Sequence, residues 1–296
     1  MMAKKRSSIS KPLSLFYCTC AYLTAGGTAF IFTLLGDFES PLAAAAVADF
    51  AATVTVFLFS RMVDNTSIYD PYWSVAPLPI ALFWFAEAGG RPTPHCLLIL
   101  VLIAVWSARL TWNWVRRWPG IGHEDWRYAD FRSRSGSYWI VSLFGFHLMP
   151  SVIVFIALIP VYRALSSSVR FKAFDLIGAF VAVSAILIET VADRQLSVFR
   201  QRAVSGGEFL ESGLWRYSRH PNYFGEVLFW WGLYLFVIPG STEEVLTIAG
   251  PISMTLLFWF VSIPMMEARL KRRIPQYTER VGRRPKLIPR PYRQSG

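Results

Sequence analysis

Long apolar runs recur along almost the whole chain, and no other feature restricts its fold as tightly. Eight segments, at about 13–36, 42–60, 71–88, 96–114, 138–160, 173–192, 223–239 and 245–264, approach the ~20 residues with which a helix crosses a bilayer. In lipid a backbone must satisfy its own polar groups, so runs of this kind fold as helices. The expected fold is an all-α polytopic membrane bundle of about 7–8 transmembrane helices. A pair of soluble domains, an ordinary solution for 296 residues, is excluded by the same runs. The second segment carries Ala43–Ala46 and is the least hydrophobic; the seventh is short enough to read as tilted or partly re-entrant.

The net charge of +11 raises nucleic acid as a partner, and its distribution argues against one. With the N-terminus inside, the inner segments 1–12, 61–70, 115–137, 193–222 and 265–296 hold 25 of the 30 Lys and Arg. Four (Arg91, Arg163, Arg170 and Lys172) fall outside, and Arg109 lies within a span. That asymmetry is the positive-inside pattern, so the basicity reads as topology with both termini cytoplasmic. The start, MMAKKRSSISKPL, resembles the charged region of a signal peptide, but the apolar run after it suits a retained signal-anchor helix. Cys18, Cys20 and Cys96 all fall in spans, so neither a disulfide framework nor a metal pair is indicated.

Several chemistries are excluded. The four histidines are scattered, without the clusters a di-iron membrane hydroxylase needs. No Rossmann fingerprint, P-loop or Gly-x-Ser-x-Gly elbow occurs. Polar residues inside the apolar segments are more informative, because ionisable groups in a membrane are costly and usually face the bundle interior or a water-filled cavity. Arg109, Asn113 and Arg116 stand at i, i+4 and i+7 on one helical face. Glu189, Asp193 and Arg200 share a face if their helix continues past the membrane surface. In GLWRYSRHPNYFGE, Asn222 and Glu226 stand at i, i+4, with Pro221 placed as the first helical residue. Each stripe alone reads as readily as an interhelical hydrogen bond that fixes packing. Together they supply guanidinium forks, carboxylates and amides to the inner side, which suits the phosphates and ribose hydroxyls of a dinucleotide.

Asp49 and Glu87 are further intramembrane acids, and Asp49 is the better functional candidate, unless it marks a helix boundary. In RMVDNTSIYDPYWSV, Asp64, Tyr69, Asp70, Tyr72 and Trp73 cluster where the second segment ends and the third begins, opened by Pro71. A carboxylic acid beside Tyr hydroxyls in an apolar surround can donate a proton to a carbonyl. An Asp N-cap with an aromatic belt accounts for the same residues.

GLWRYSRHPNYFGE followed by WWG resembles the signature of the steroid 5-alpha-reductase superfamily, and most closely its branch catalogued as a domain of unknown function. SIYDPYWS, RLTWNW with HEDWRY, ETVADRQLSVF and PMMEARLKRRIPQY fit in the same order, so the resemblance covers about 61–290. The implied organisation is a signal-anchor and second span over 1–60, a reductase-like domain over 61–290 and a tail over 291–296. The resemblance implies an NADPH-dependent oxidoreductase that reduces a carbon–carbon double bond conjugated to a carbonyl in a steroid or other lipid-like substrate entering from the bilayer. Hydride would pass from the nicotinamide to the beta carbon.

Carried over position by position, Asp193, Arg200, Asn222 and Glu226 match cofactor-binding residues. Arg109, Asn113 and Arg116 fall in the other cofactor-binding helix, and Tyr217, His220 and Tyr223 line the same pocket. The implied acid is Asp70, helped by Tyr69 or Tyr72, polarising the carbonyl and stabilising an enolate. Asp70 is shorter than the Glu of the steroid enzymes and stands in a different local sequence, which weakens the case for a steroid within that substrate class. Near the end, Tyr277 is followed by Arg280 where relatives have a second Tyr. The expected location is the endoplasmic reticulum membrane in a eukaryote, or the inner membrane in a bacterium. Two alternatives stay open: an S-adenosylmethionine-dependent methyltransferase of the isoprenylcysteine or phospholipid type, and a non-catalytic lipid-binding membrane protein.

Overall fold

The computed structural model describes residues 9–166, 171–202, 208–238, 241–282 and 284–291. Among them the structure is helical throughout, with no strand. In chain order the helices are α1 (Lys11–Leu35), α2 (Pro41–Met62), α3 (Tyr72–Val75), α4 (Pro77–Glu87), α5 (Pro94–Arg117), α6 (Trp126–Arg134), α7 (Tyr138–Val141), α8 (Met149–Ser166) and α9 (Ala173–Arg202). Then come α10 (Pro221–Tyr234), α11 (Thr242–Leu246), α12 (Ala249–Leu257), α13 (Ile263–Arg273) and α14 (Tyr277–Val281). π-helical turns at Ser142–Leu148 and Phe258–Ser262 carry α7 into α8 and α12 into α13.

Among the described residues six helical stretches are long and apolar enough to cross a membrane: α1, α2, α5, Tyr138–Ser166, α9 and Thr242–Arg273. Large apolar side chains such as Leu23, Phe30, Phe180, Leu187 and Phe260 point outward, the surface a lipid solvent requires. This is an integral, multi-pass membrane protein. Two of the eight apolar segments seen in the sequence form shorter helices. Segment 71–88 divides into α3 and α4 at Pro77, which has no N–H to give the helical ladder. Of segment 223–239, residues 223–237 lie in the 14-residue α10 and a following 3-10 turn, and residue 239 is outside the described residues. Asp49 lies well inside α2, so it marks no helix boundary.

The chain forms two compact units. The first comprises Met1–Pro92, Ile103–Leu158 and Leu165–Ser168. In it α1 and α2 lie side by side, tied by the Tyr17 hydroxyl donating to the Phe59 carbonyl at 3.0 Å. Val56, Ile68, Tyr69, Tyr72 and Trp118 belong to its core. The second unit comprises Thr93–Leu102, Ile159–Ala164 and Val169–Gly296. Its centre is the α9–α10 pair, which is close because the touching residues are small. A Cβ on Gly225 would stand 2.9 Å from the Ala185 carbonyl, and one on Gly232 2.8 Å from the Ala182 nitrogen. Without a hydrophobic drive between helices in lipid, such close backbone approach is what holds them together.

Candidate functional site

The α9–α10 contact in the second unit determines where its polar side chains meet. Pro221 is the first residue of α10, as its missing N–H favours, and the helix then carries Asn222, Tyr223 and Glu226 in its first turns. Asp193 and Arg200 lie on α9, which does continue to Arg202, so Glu189, Asp193 and Arg200 share the expected face. Asn222 donates from Nδ2 to Asp193 Oδ1 at 3.4 Å, while its own Oδ1 is buried and has no hydrogen-bond partner among the described residues. Glu226 is buried and accepts from the Trp230 indole N–H at 2.8 Å, one turn along. His220 is buried, its ring stacked on Tyr223 with centroids 5.3 Å apart, and its Nε2 stands 3.7 Å from Glu267 Oε1. Arg200 is exposed to solvent. Asp193, His220, Asn222, Tyr223 and Glu226 are therefore grouped at one end of the α9–α10 pair, the end where α10 begins.

The preceding half of the same polar run has a different task. Arg219 spends its guanidinium on three acceptors: Nε donates to the Arg284 carbonyl (2.7 Å), Nη1 to Glu267 (3.0 Å) and Nη2 to the Gly282 carbonyl (3.0 Å). Ser218 donates to the Leu287 carbonyl at 2.7 Å, and Arg284 to the Trp215 carbonyl at 3.1 Å. Tyr217 is 43% exposed at its surface, with its carbonyl accepting from the Arg290 N–H. Residues 213–219 thus fasten the C-terminal segment, and Arg280, which stands where relatives have a second Tyr, is paired with Glu211 at 2.5 Å. Glu267, which holds both Arg219 and His220, was passed over in the sequence. It is buried on α13, but it follows the last apolar segment in the basic stretch EARLKRR, where an acid carries no mark of burial.

Asp70 belongs to the first unit, in a polar loop docked on the segment before α6. Asn65 donates to the Ile121 and His123 carbonyls, and Ser67 accepts at Oγ from the Asp125 N–H at 2.7 Å. This brings Arg127 and Tyr128 of α6 to Asp70 Oδ1, at 3.0 and 2.5 Å. Burial pushes the Asp70 carboxyl up to about 6, against the opposing pull of the Arg127 guanidinium and the Tyr128 hydrogen bond. A carboxyl of that kind can hold a proton near neutrality and pass it on. Tyr69 and Tyr72 face elsewhere: their rings lie 5.5 Å apart, with the Tyr69 hydroxyl 2.8 Å from Ser151 Oγ and the Tyr72 hydroxyl donating to Asp49 at 2.9 Å. The partners of Asp70 are Arg127 and Tyr128 instead, two residues of the HEDWRY stretch whose role no local pattern revealed.

Arg109, Asn113 and Arg116 lie on α5 in the first unit, the first two half-buried and Arg116 exposed. No group of three or more His, Cys, Asp or Glu that could hold a metal ion occurs among the described residues.

The family model described as a protein of unknown function, DUF1295, matches residues 56–281. The uncharacterized protein C594.04c of Schizosaccharomyces pombe is 30% identical over 198 residues, which are 58% of this chain and 57% of that protein. The chain therefore spans little more than half the length of that relative. No solved structure matches.

Proposed function

The chain belongs to DUF1295, a family of unknown function, and from the α9–α10 site we propose that it is a membrane-embedded, NADPH-dependent reductase. Its substrate class is a lipid-like molecule with a carbon–carbon double bond conjugated to a carbonyl. The observation that carries this reading is Asn222: a buried amide oxygen without a partner among the described residues, beside Asp193, in a helix pair otherwise built on Gly and Ala contacts. Leaving such an acceptor unsatisfied costs about 1–3 kcal/mol, which a ligand donor would recover.

The residues fit the cofactor by their chemistry. Asn222 Oδ1 suits a carboxamide or ribose donor, Asp193 and Glu226 offer carboxylate oxygens to hydroxyls, and the exposed Arg200 suits a phosphate. The resemblance to the steroid 5-alpha-reductase superfamily adds Tyr217, His220 and Tyr223 of the second unit to the binding set. When bound, NADPH supplies a hydride. The protein's own part is to orient, to exclude water and to manage a proton. Glu226 is fixed by Trp230, and His220 is held between Tyr223 and Glu267, so both are preorganised. The acid that the resemblance implies is Asp70 of the first unit, which Tyr128 holds at 2.5 Å.

The proposal includes the topology read from the charges: cytoplasmic termini, and 71–88 and 223–239 as additional membrane-embedded segments. The endoplasmic reticulum is its expected location in a eukaryote.

The test is thermal stability of the purified protein in mild detergent with NADPH, NADH or S-adenosylmethionine. NADPH at 100 times its dissociation constant adds about 2.7 kcal/mol. A shift with S-adenosylmethionine alone reassigns the same residues to a methyltransferase, and no shift with any of the three overturns both enzymatic readings.

A further inference from the structure

We propose that the first unit contains a proton relay: a file of hydroxyl groups joining the carboxylate of Glu124 to the imidazole of His147 inside the Tyr138–Ser166 helix. Glu124 Oε1 accepts from the Tyr138 hydroxyl at 3.4 Å. That hydroxyl is 2.6 Å from Thr66 Oγ1, which is 3.0 Å from Ser142 Oγ. Ser142 meets His147 Nδ1 twice, through its carbonyl at 2.8 Å and its Oγ at 3.5 Å. Beyond the ring, Nε2 faces Ser60 Oγ at 3.3 Å.

The two ends settle which way each hydrogen points. An ionised carboxylate only accepts, so Tyr138 donates outward to Glu124, Thr66 to Tyr138 and Ser142 to Thr66. A carbonyl only accepts, so His147 carries its hydrogen on Nδ1 and keeps a lone pair on Nε2. Hydrogen bonds aligned in one sense polarise and strengthen each other. A proton taken up at Nε2 releases the Nδ1 proton to Ser142 Oγ, each hydroxyl hands on its own proton as it receives one, and Glu124 takes the last. The reverse transfer follows once the hydroxyls turn. One proton moves, and only O–H and N–H bonds form and break.

Two features separate this arrangement from a core histidine that is merely satisfied. The inner groups are sealed, with Thr66, Ser142 and His147 all at 0% exposure, while the outer end reaches water: Glu124 pairs with Arg132, itself 27% exposed and bonded to the 57% exposed Asp64. In addition, Ser142 and His147 are five residues apart in a π-helical turn, the spacing that returns the ring to a carbonyl of its own helix. Such turns are rare and concentrate at functional sites. Reducing a double bond takes up a proton as well as a hydride, and a membrane-embedded site must draw that proton from water. This use rests on the reductase reading; the path does not.

The test follows exchange of ring N–H protons with deuterated solvent in 15N-histidine-labelled protein, the signals of His147 and His95 being assigned with H147Q and H95Q. His95 is as buried as His147, at 1% exposure, and so reports exchange through opening of the fold. The expected result is an Nδ1–H tautomer at His147 that exchanges at least about tenfold faster than His95, slowed to the His95 rate by Thr66→Val and by Tyr138→Phe. A variant that merely loosens the fold speeds exchange, the opposite direction. An Nε2–H tautomer, exchange no faster than that of His95, or indifference to both substitutions overturns the relay. Slowed exchange in a protein that NADPH does not stabilise leaves the relay standing and removes the reductase.

Discussion

Asn222 gives one amide hydrogen to Asp193 across the α9–α10 contact at 3.4 Å, and the oxygen of the same amide is buried with no hydrogen-bond partner among the described residues. The bond is long, and the orphaned oxygen loses water without gaining a donor. An amide in that state contributes little to the unliganded fold, since a neutral hydrogen bond is worth about 1 kcal/mol net and the lone acceptor opposes it.

Asn222→Ala therefore leaves the unliganded melting temperature nearly unchanged, and removes most of the stabilisation of about 2.7 kcal/mol that a hundredfold excess of NADPH over its dissociation constant confers. Thermal melts with and without NADPH read both quantities. A variant that is stabilised as strongly as the natural protein removes Asn222 from the binding set.

Gly225 and Gly232 are predicted to be indispensable to the α9–α10 pair for lack of space. Gly225→Ala places a methyl 2.9 Å from the Ala185 carbonyl and 2.9 Å from Glu189 Cβ, and neither backbone nor Cβ can turn aside. Overpacking of this kind costs about 1–3 kcal/mol. Gly26→Ala on α1, where nothing lies within 4 Å, is the control, and there the better helix former leaves stability equal or higher. Denaturant melts of the two variants in the same detergent make the comparison.

Asp70 makes stability depend on pH in a stated direction. Burial raises its carboxyl from the ordinary 3.8 to about 6 in the folded protein, so between those values the folded state binds more protons than the unfolded one. Its contribution is fully present below about pH 4 and is lost as the pH rises through about 6. Asp70→Asn cannot ionise, so the difference in melting temperature between the natural protein and the variant changes across pH 4–6 and is flat above 7. A difference that stays constant through that window contradicts the raised carboxyl.

How much of this was written locally in the sequence varies with the range of the interaction. The long apolar runs gave the helices because twenty apolar residues have one stable state in lipid. Pro221 marked the start of α10 through a property of its own backbone, and the spacing of Glu189, Asp193 and Arg200 gave a shared face once α9 ran to Arg202. Pairings between distant segments left no such trace. Nothing local to Asp70 announces Tyr128, 58 residues on, and nothing in GLWRYSRHPNYFGE separates Arg219, which fastens the C-terminal segment, from His220 beside it. Two neighbouring residues of one polar run acquire different roles only from what tertiary packing brings to each.

His95 and Asp175 make the last prediction, one about stability alone. The His95 ring lies between two acceptors, Asp175 Oδ2 at 2.9 Å from Nδ1 and the Ala164 carbonyl at 3.2 Å from Nε2, while the Lys172 N–H donates to the same Asp175 oxygen at 2.9 Å. Both side chains are sealed, at 1% and 0% exposure, and Asp175 sits in the first turn of α9, where the helix dipole favours a carboxylate. The pair thus ties the starts of α5 and α9 to the end of α8. Asp175→Ala strands the imidazole between a carbonyl and a cavity, and leaving a buried polar group without its partner costs about 1–3 kcal/mol. Replacing both partners, His95→Leu with Asp175→Leu, leaves neither side chain without its partner and recovers a large part of that loss. Neither residue belongs to the cofactor set, so the stabilisation by NADPH persists in each variant that folds. Melts of the two single variants and the double variant, with and without NADPH, check both statements, and additive losses would show that the two side chains act independently.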